Sequence, residues 1–368
     1  MRFVILTNDY PSFLTWLYAQ HPALERQPYA VQLEKRREAL FSAAWPYASH
    51  FTQAGHESHD LYVNNVPMQR AWAREHGVNT RLPWKFRLRR GLVPWASRDE
   101  EQWLAKVLAA QIEHYKPDVL LNQAMDSLSP RFLRGMKGYR FLVGEHAATT
   151  LPRSEDYACY DLVVSSVPTT VAAFRDRGVP AESLRLGFDP AWLACTNTAA
   201  RAVDGSFVGS FFGVHTGRAA LVDLLCRRVP SMKVWAPAID ELPPSIRAAH
   251  QGPAWGREMY RVLACSKVTV NHHGDLFPYA NNQRLYEATG LGALLLTDWK
   301  ANLGEMFEPG TEVVTYRSAD ECADLLQYYL EHGAERQTIA DAGRRRTLAQ
   351  HTYAQRMAEL VDVIERYA

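Results

Sequence analysis

The segment Asn282-Gln283-Arg284-Leu285-Tyr286-Glu287-Ala288-Thr289-Gly290 carries a dense set of chemically useful side chains. A polar loop, Asn271-His272-His273-Gly274-Asp275, precedes it, and an apolar run ending in Thr297-Asp298 follows. The spacing predicts a helix over 282–290. A helix N-terminus offers unpaired N–H groups and positive partial charge, which suit a phosphate or diphosphate. Arg284 adds a guanidinium able to make two-pronged contacts. Glu287 places a carboxylate where it can accept hydrogen bonds from paired hydroxyls, as on a ribose. Both also have plainer readings, as a surface arginine and as an acidic residue favouring the helix dipole. A second constellation, Gly144-Glu145-His146, closes the predicted strand 139–143, and the carboxyl end of a strand in a doubly wound sheet faces the ligand crevice. Glu145 or His146 could serve there as a general base. Asp9, just past the first strand, and Asp126, past the run 119–123, are rivals on the same geometric logic, and each could equally be a turn or cap residue. His215 and Arg218 follow Gly213 in a turn, where a cation could neutralise an anionic leaving group. His272 and His273 are adjacent and lack the spacing of a helical zinc pair, so no metal site is expected.

Short β-rich runs closed by turn residues place strands at 2–6, 58–63, 118–121, 139–143 and 162–165. Segments with helical spacing lie between them, at 28–54 and 97–115. Such alternation builds a parallel sheet with helices on both faces. Residues 189–204 are small, polar and aperiodic and read as a linker. The pattern then restarts, with strands at 206–208, 232–235, 268–271, 293–297 and 313–316 and helices at 257–264, 282–290, 319–332 and 335–349. The expectation is two consecutive doubly wound α/β units, 1–190 and 205–351, with ligands bound in a cleft between them. No internal sequence repeat is visible.

The ordered series of motifs resembles the GT-B glycosyltransferases, most of all the CgeB-type (spore-maturation-like) group. The likeness runs through Asn282-x-Arg284-x-x-Glu287-Ala288 to Gly292, then Leu303-Gly304-Glu305-Met306-Phe307, Tyr328-Tyr329-Leu330, Ile339-Ala340-Asp341-Ala342-Gly343-Arg344 and His351-Thr352-Tyr353. Phe207-Val208-Gly209-Ser210 and Trp255-Gly256-Arg257-Glu258-Met259-Tyr260 fit upstream. Gly55-His56-Glu57, Gln69-Arg70-Ala71-Trp72-Ala73 and Tyr160-Asp161-Leu162 fit more loosely. The series is specific where each motif alone is weak. The resemblance implies two Rossmann-like domains, with the second binding a nucleotide-sugar donor and helix 352–368 packing back on the first. Carried over, Glu287 would hold the donor ribose. Arg284 and the loop region before it, with His273 and Asn282, would face the diphosphate, and His215 and Arg218 would meet its charge. Gly209 and Ser210 would let the first strand–helix turn approach the phosphates, and Trp255, Gly256 and Met259 would lie near the base. A His at a place comparable to His146 contacts the donor sugar in related enzymes, and Glu145, His146 or Asp9 would supply the base in an inverting reaction. Many retaining relatives carry E-x7-E here; eight positions before Glu287 stands Tyr279, so the anomeric outcome is left open. A sugar transfer without metal or other cofactor is the implied reaction, to a glycan or glycoconjugate acceptor. A nucleotide-sugar 2-epimerase and a non-catalytic nucleotide or glycan binder are the rivals.

The chain has 368 residues, and 41 Lys and Arg against 40 Asp and Glu give a net charge of +1. That balance argues against a nucleic-acid partner but leaves room for a nucleotide, which needs only a few local cations. Hydrophobic residues at 47% exclude a disordered chain. Five cysteines without a CxxC pattern, and no apolar stretch long enough to span a membrane, lead to an expectation of a cytoplasmic protein. The run Arg81–Arg90 is locally basic. Its Lys85, Arg87 and Arg89 could touch an acidic membrane surface, although a solvated loop between helices is the simpler expectation. Oligomeric state is not legible.

Overall fold

A computed structural model describes residues 1–79, 84–88, 94–98, 100–147, 156–196, 201–211, 217–274, 278–280 and 282–368. The chain divides into two compact units. One comprises Met1–Glu38, Ser42–Ser183 and Val361–Ala368, the other Ala39–Phe41 and Leu184–Leu360.

The first unit is built on strands β1 (Arg2–Thr7), β2 (Glu57–Tyr62), β3 (Trp84–Leu88), β4 (Pro94–Arg98), β5 (Val119–Asn122), β6 (Phe141–Glu145), β7 (Leu162–Ser165) and β8 (Ala181–Ser183). Six of them form a parallel sheet in the order β2-β1-β5-β6-β7-β8, and β3 and β4 form a separate antiparallel hairpin. The central strands are continuous apolar runs, such as Phe3-Val4-Ile5-Leu6, because helices cover both faces of a parallel sheet. Val4, Leu6, Leu120, Leu142 and Val163 carry that core.

The second unit holds β9 (Val203–Val208), β10 (Met232–Trp235), β11 (Ser266–Asn271), β12 (Leu294–Asp298) and β13 (Val314–Tyr316), all parallel, in the order β10-β9-β11-β12-β13. Phe207, Val234, Val268, Val270, Leu294 and Leu296 join helix residues Leu221, Leu225 and Leu326 in one core. In each sheet the chain runs from the second strand to one edge and then returns to the other side of that second strand. The topological switch points therefore lie between β1 and β5 and between β9 and β11, at the carboxyl ends of the strands.

Three expectations change. The helical segment 28–54 is two helices, Tyr29–Glu38 and Ala44–Gln53, because Leu40 (φ 57°) and Ser42 (φ 70°) adopt left-handed backbone, which cannot continue a right-handed helix. The linker region 189–204 contains a 3-10 turn, Pro190–Cys195, opened by the Asp189 side chain accepting the Ala191 N–H. Its Trp192 is buried and stacks on Tyr260 with ring centroids 4.4 Å apart, so this part packs as core. The basic run 81–90 contains β3 instead of being loop throughout. The alternation of Trp84, Phe86 and Leu88 with Lys85 and Arg87 is a period-two strand signal.

Candidate functional site

At the second switch point, Arg218 on the helix Gly217–Arg228 is almost wholly buried and bridges both strands. Its Nη1 donates to the carbonyl of Ser210 past β9 (3.0 Å), and Nε and Nη2 donate to the carbonyl of His272 past β11 (2.9 and 2.6 Å). Gly209 and Ser210 follow directly on the end of β9. Asn271, the last residue of β11, is fastened to Asn282: Asn282 Nδ2 donates to Asn271 Oδ1 (2.8 Å), and Asn271 Nδ2 donates to Thr297 Oγ1 (2.9 Å).

The helix over Arg284–Gly290 starts two residues later than its sequence pattern suggests and has seven residues. Within it Arg284 Nη1 reaches Glu287 Oε2 at 2.6 Å, and Arg284 Nη2 donates to the carbonyl of Val208, the end of β9 (3.0 Å). The i, i+3 spacing alone sets this pair side by side. Burial pushes the Glu287 carboxyl above its ordinary range, with the Arg284 charge opposing. Met259 Sδ lies 3.3 Å from Arg284 Nη2, so Met259 joins the same corner.

His273 and Asp298 meet at the ends of β11 and β12. Nδ1 of His273 lies 2.6 Å from Asp298 Oδ1, and the His273 backbone N–H donates to the same oxygen at 2.9 Å. Lys300 Nζ stands 3.3 Å from Oδ2, and His272 Nδ1 3.9 Å from it. Burial alone would raise the Asp298 carboxyl, but the hydrogen bonds from His273 outweigh it and hold the group well below the usual carboxylate range.

Trp255 and Gly256 are engaged by the chain's own Ala39–Phe41 segment. Trp255 meets Phe41 edge-on with centroids 5.0 Å apart, Arg257 N–H donates to the Ala39 carbonyl (2.9 Å), and the Tyr260 hydroxyl donates to the Leu40 carbonyl (3.0 Å). Gly256 has φ 47°, and a Cβ there would sit 1.8 Å from the Ala39 carbonyl oxygen, so only glycine fits.

In the first unit, Glu145 is the last residue of β6. Its Oε1 accepts from the Tyr47 hydroxyl (2.7 Å) and its Oε2 from Gln123 Nε2 (2.9 Å). Burial raises its carboxyl above the ordinary value, with those two hydrogen bonds opposing. His146 follows, buried, with Nδ1 3.8 Å from Asp126 Oδ1. His146 and Asp126 thus approach each other, while Glu145 is held by Tyr47 and Gln123. Asp9 is taken up by Arg36, which holds both its oxygens (2.5 and 3.2 Å), and both side chains are fully buried. Arg36 also lies over the Tyr62 ring, 3.9 Å from its centroid.

His215 and Arg89 lie outside the described residues, and Lys85 and Arg87 stand on β3. Among the described residues no group of three or more His, Cys, Asp or Glu is placed to hold a metal ion, and no helix is long and apolar enough to cross a membrane. Asp298, Lys300, Gln123 and Tyr47, which contact the candidate residues, carry no such assignment in the sequence. Asp298 had a visible signal, as the polar end of an apolar strand. Tyr47 had none, since its contact joins positions 98 residues apart.

Residues 218–362 match a protein family described as glycosyl transferase-like. No curated protein matches the chain in sequence. Among solved structures, a glycosyltransferase from Rickettsia africae superposes with a TM-score of 0.61 at 9% identity, covering 100% of this chain and 98% of that one. The HepE protein of Anabaena, solved in complex with UDP-glucose, gives 0.59 at 11% identity with 100% of both chains covered. A putative UDP-N-acetylglucosamine 2-epimerase from Listeria monocytogenes gives 0.52 at 10% identity, covering 99% and 95%. The fold is that of the GT-B glycosyltransferases, α/β with two parallel sheets.

Proposed function

We propose that this chain is a CgeB-type glycosyltransferase, moving a sugar from a nucleoside diphosphate sugar to a hydroxyl of a glycan or glycoconjugate. The observation that carries the reading is the convergence at the second switch point. Arg218, the Arg284–Glu287 pair, Asn282 and the His273–Asp298 pair gather there at the ends of β9, β11 and β12. Doubly wound sheets bind nucleotides at such a place. In this reading Glu287 accepts the ribose hydroxyls. Arg218 and Arg284 meet the charge of the departing diphosphate without a metal, as a transfer with an anionic leaving group needs. Glu145 takes the proton of the attacking hydroxyl. Its raised carboxyl value suits that task, because a stronger base at the working pH accepts the proton more readily. His146 beside it is the second candidate.

Calorimetric titration with UDP and UDP-sugars tests the donor half of the proposal. Binding is expected, and Glu287→Ala should weaken it at least about tenfold, the loss of one or two charge-assisted hydrogen bonds, with the melting temperature little changed. Unaltered affinity in that variant would remove Glu287 from the site. The likeness to the Listeria epimerase makes one control necessary. Donor incubated alone should give at most slow hydrolysis; a new sugar nucleotide would establish epimerisation instead. Nucleotide binding with no turnover across a broad acceptor panel would favour a non-catalytic binder.

A further inference from the structure

His273 is 3% exposed, and its Nε2 is buried with no hydrogen-bond partner among the described residues. Buried polar atoms are almost always satisfied, so an orphan at a strand's carboxyl end calls for an explanation. The other side of the ring is over-determined: Nδ1 and the His273 backbone N–H both reach Asp298 Oδ1, at 2.6 and 2.9 Å. A carboxylate only accepts, so the proton between them sits on Nδ1. In the neutral ring that leaves Nε2 as an acceptor. The carboxylate is already countered by Lys300 at 3.3 Å and by the backbone N–H. A phosphate oxygen has no proton to offer such an atom; a hydroxyl does. The pair lies one residue beyond the His272 carbonyl that Arg218 grips, beside the proposed diphosphate position.

We infer that Asp298 and His273 form a hydroxyl-reading pair in the donor site, with Asp298 fixing the imidazole through Nδ1 and Nε2 accepting a hydrogen bond from a hydroxyl of the transferred sugar. His273 touches the substrate, and Asp298 is a positioning residue acting through it. The inference rests on the donor reading above. Because the ribose is assigned to Glu287, the pair contributes to affinity for the sugar and not for the nucleotide.

The test compares UDP-glucose with UDP by calorimetry, in wild type, His273→Asn and Asp298→Asn. Asparagine at position 273 has an amide nitrogen where Nδ1 stands and can keep the bond to Asp298, but it has nothing at Nε2. Wild type should bind UDP-glucose more tightly than UDP. In His273→Asn that preference should fall by roughly five- to tenfold, one hydrogen bond's share, while UDP affinity stays within about twofold. Asp298→Asn should lower the same preference by less, because a neutral amide can accept from or donate to Nδ1 and no longer fixes the ring proton there. ¹⁵N spectra of the imidazole read that tautomer exchange directly, a signal a merely structural role would not move. An unchanged preference in His273→Asn, equal losses for both ligands, or a wild-type preference near one would overturn the inference. Wild-type protein that binds neither ligand would overturn the donor reading instead, and the inference with it.

Discussion

Glu145 and Asp298 occupy equivalent points of the two sheets. Each sheet places an edge strand, then its first strand, then the next two in the same order, so β6 corresponds to β12. The register agrees: Asn122 pairs with Gly144 and Asn271 with Thr297, and the next residue in each case is the carboxylate that ends the strand. Their chemistry is nonetheless opposite. Glu145 is held by two neutral donors, Tyr47 and Gln123, and burial pushes its carboxyl up. Asp298 is held by His273, a backbone N–H and Lys300, and stays ionised far below the usual range. One backbone position therefore carries a carboxyl pushed up in the first unit and one held down in the second. The residues just past the neighbouring strand, Gln123 in one sheet and His272-His273 in the other, make the difference. Asp9 is a third case: its partner is a guanidinium, which cannot give up its proton, so the pair ends in structure.

The largest expected effect is at that third carboxylate. Arg36→Met leaves Asp9 buried without its counter-charge and should cost about 3–5 kcal/mol, read as a lowered urea midpoint. A small loss would mean that Asp9 escapes to water and is available for chemistry after all. Next comes Asp298→Asn, expected to lose about 1–3 kcal/mol at neutral pH. The folded carboxyl of Asp298 lies below its unfolded value of about 3.9, so its stabilisation is full above that value and is lost as pH falls through the folded one. The gap between variant and wild type should therefore close in strong acid. Glu145→Gln should have the smallest effect on stability and the opposite sign. The folded value lies above the unfolded one of about 4.3, so the wild type is favoured below that pH and penalised as pH rises through the folded value. The variant should melt slightly higher at neutral pH, by a few degrees at most, with the gain gone near pH 4. Transfer activity should drop by ~10²–10⁴-fold with it; full activity alongside that melting gain would assign the base to His146.

Much of the fold was legible, because a parallel strand buried on both faces leaves an apolar run that one sequence displays by itself. Arg2–Thr7, Leu162–Ser165 and Leu294–Asp298 are of this kind. The strand over Trp84–Leu88 was less visible, since its alternation is embedded in a run of basic residues that suggests solvent. Trp192 was hidden among small polar neighbours, and its burial depends on Tyr260, far along the chain. The geometry of the candidate site was legible in part. Glu145, His146, Arg218, His273, Arg284 and Glu287 were marked by their place at strand ends and in the helix that follows. Their partners were not marked, because hydrogen bonds such as Tyr47 to Glu145 join residues that share no local pattern.

The amino-acid sequence by itself determined the alternation of strands and helices, the restart of that pattern in a second unit and the polar residues at the ends of apolar strands. Local periodicity and turn chemistry are enough for these. Only the tertiary structure decided that the two sheets share one strand order without a sequence repeat, that Asp9 is consumed by Arg36, and that burial pushes the Glu145 carboxyl up while its hydrogen bonds hold the Asp298 carboxyl down. A carboxylate's charge depends on its burial and on the donors within about 4–6 Å, and in a parallel sheet those donors come from the neighbouring strands and from helices distant in the chain.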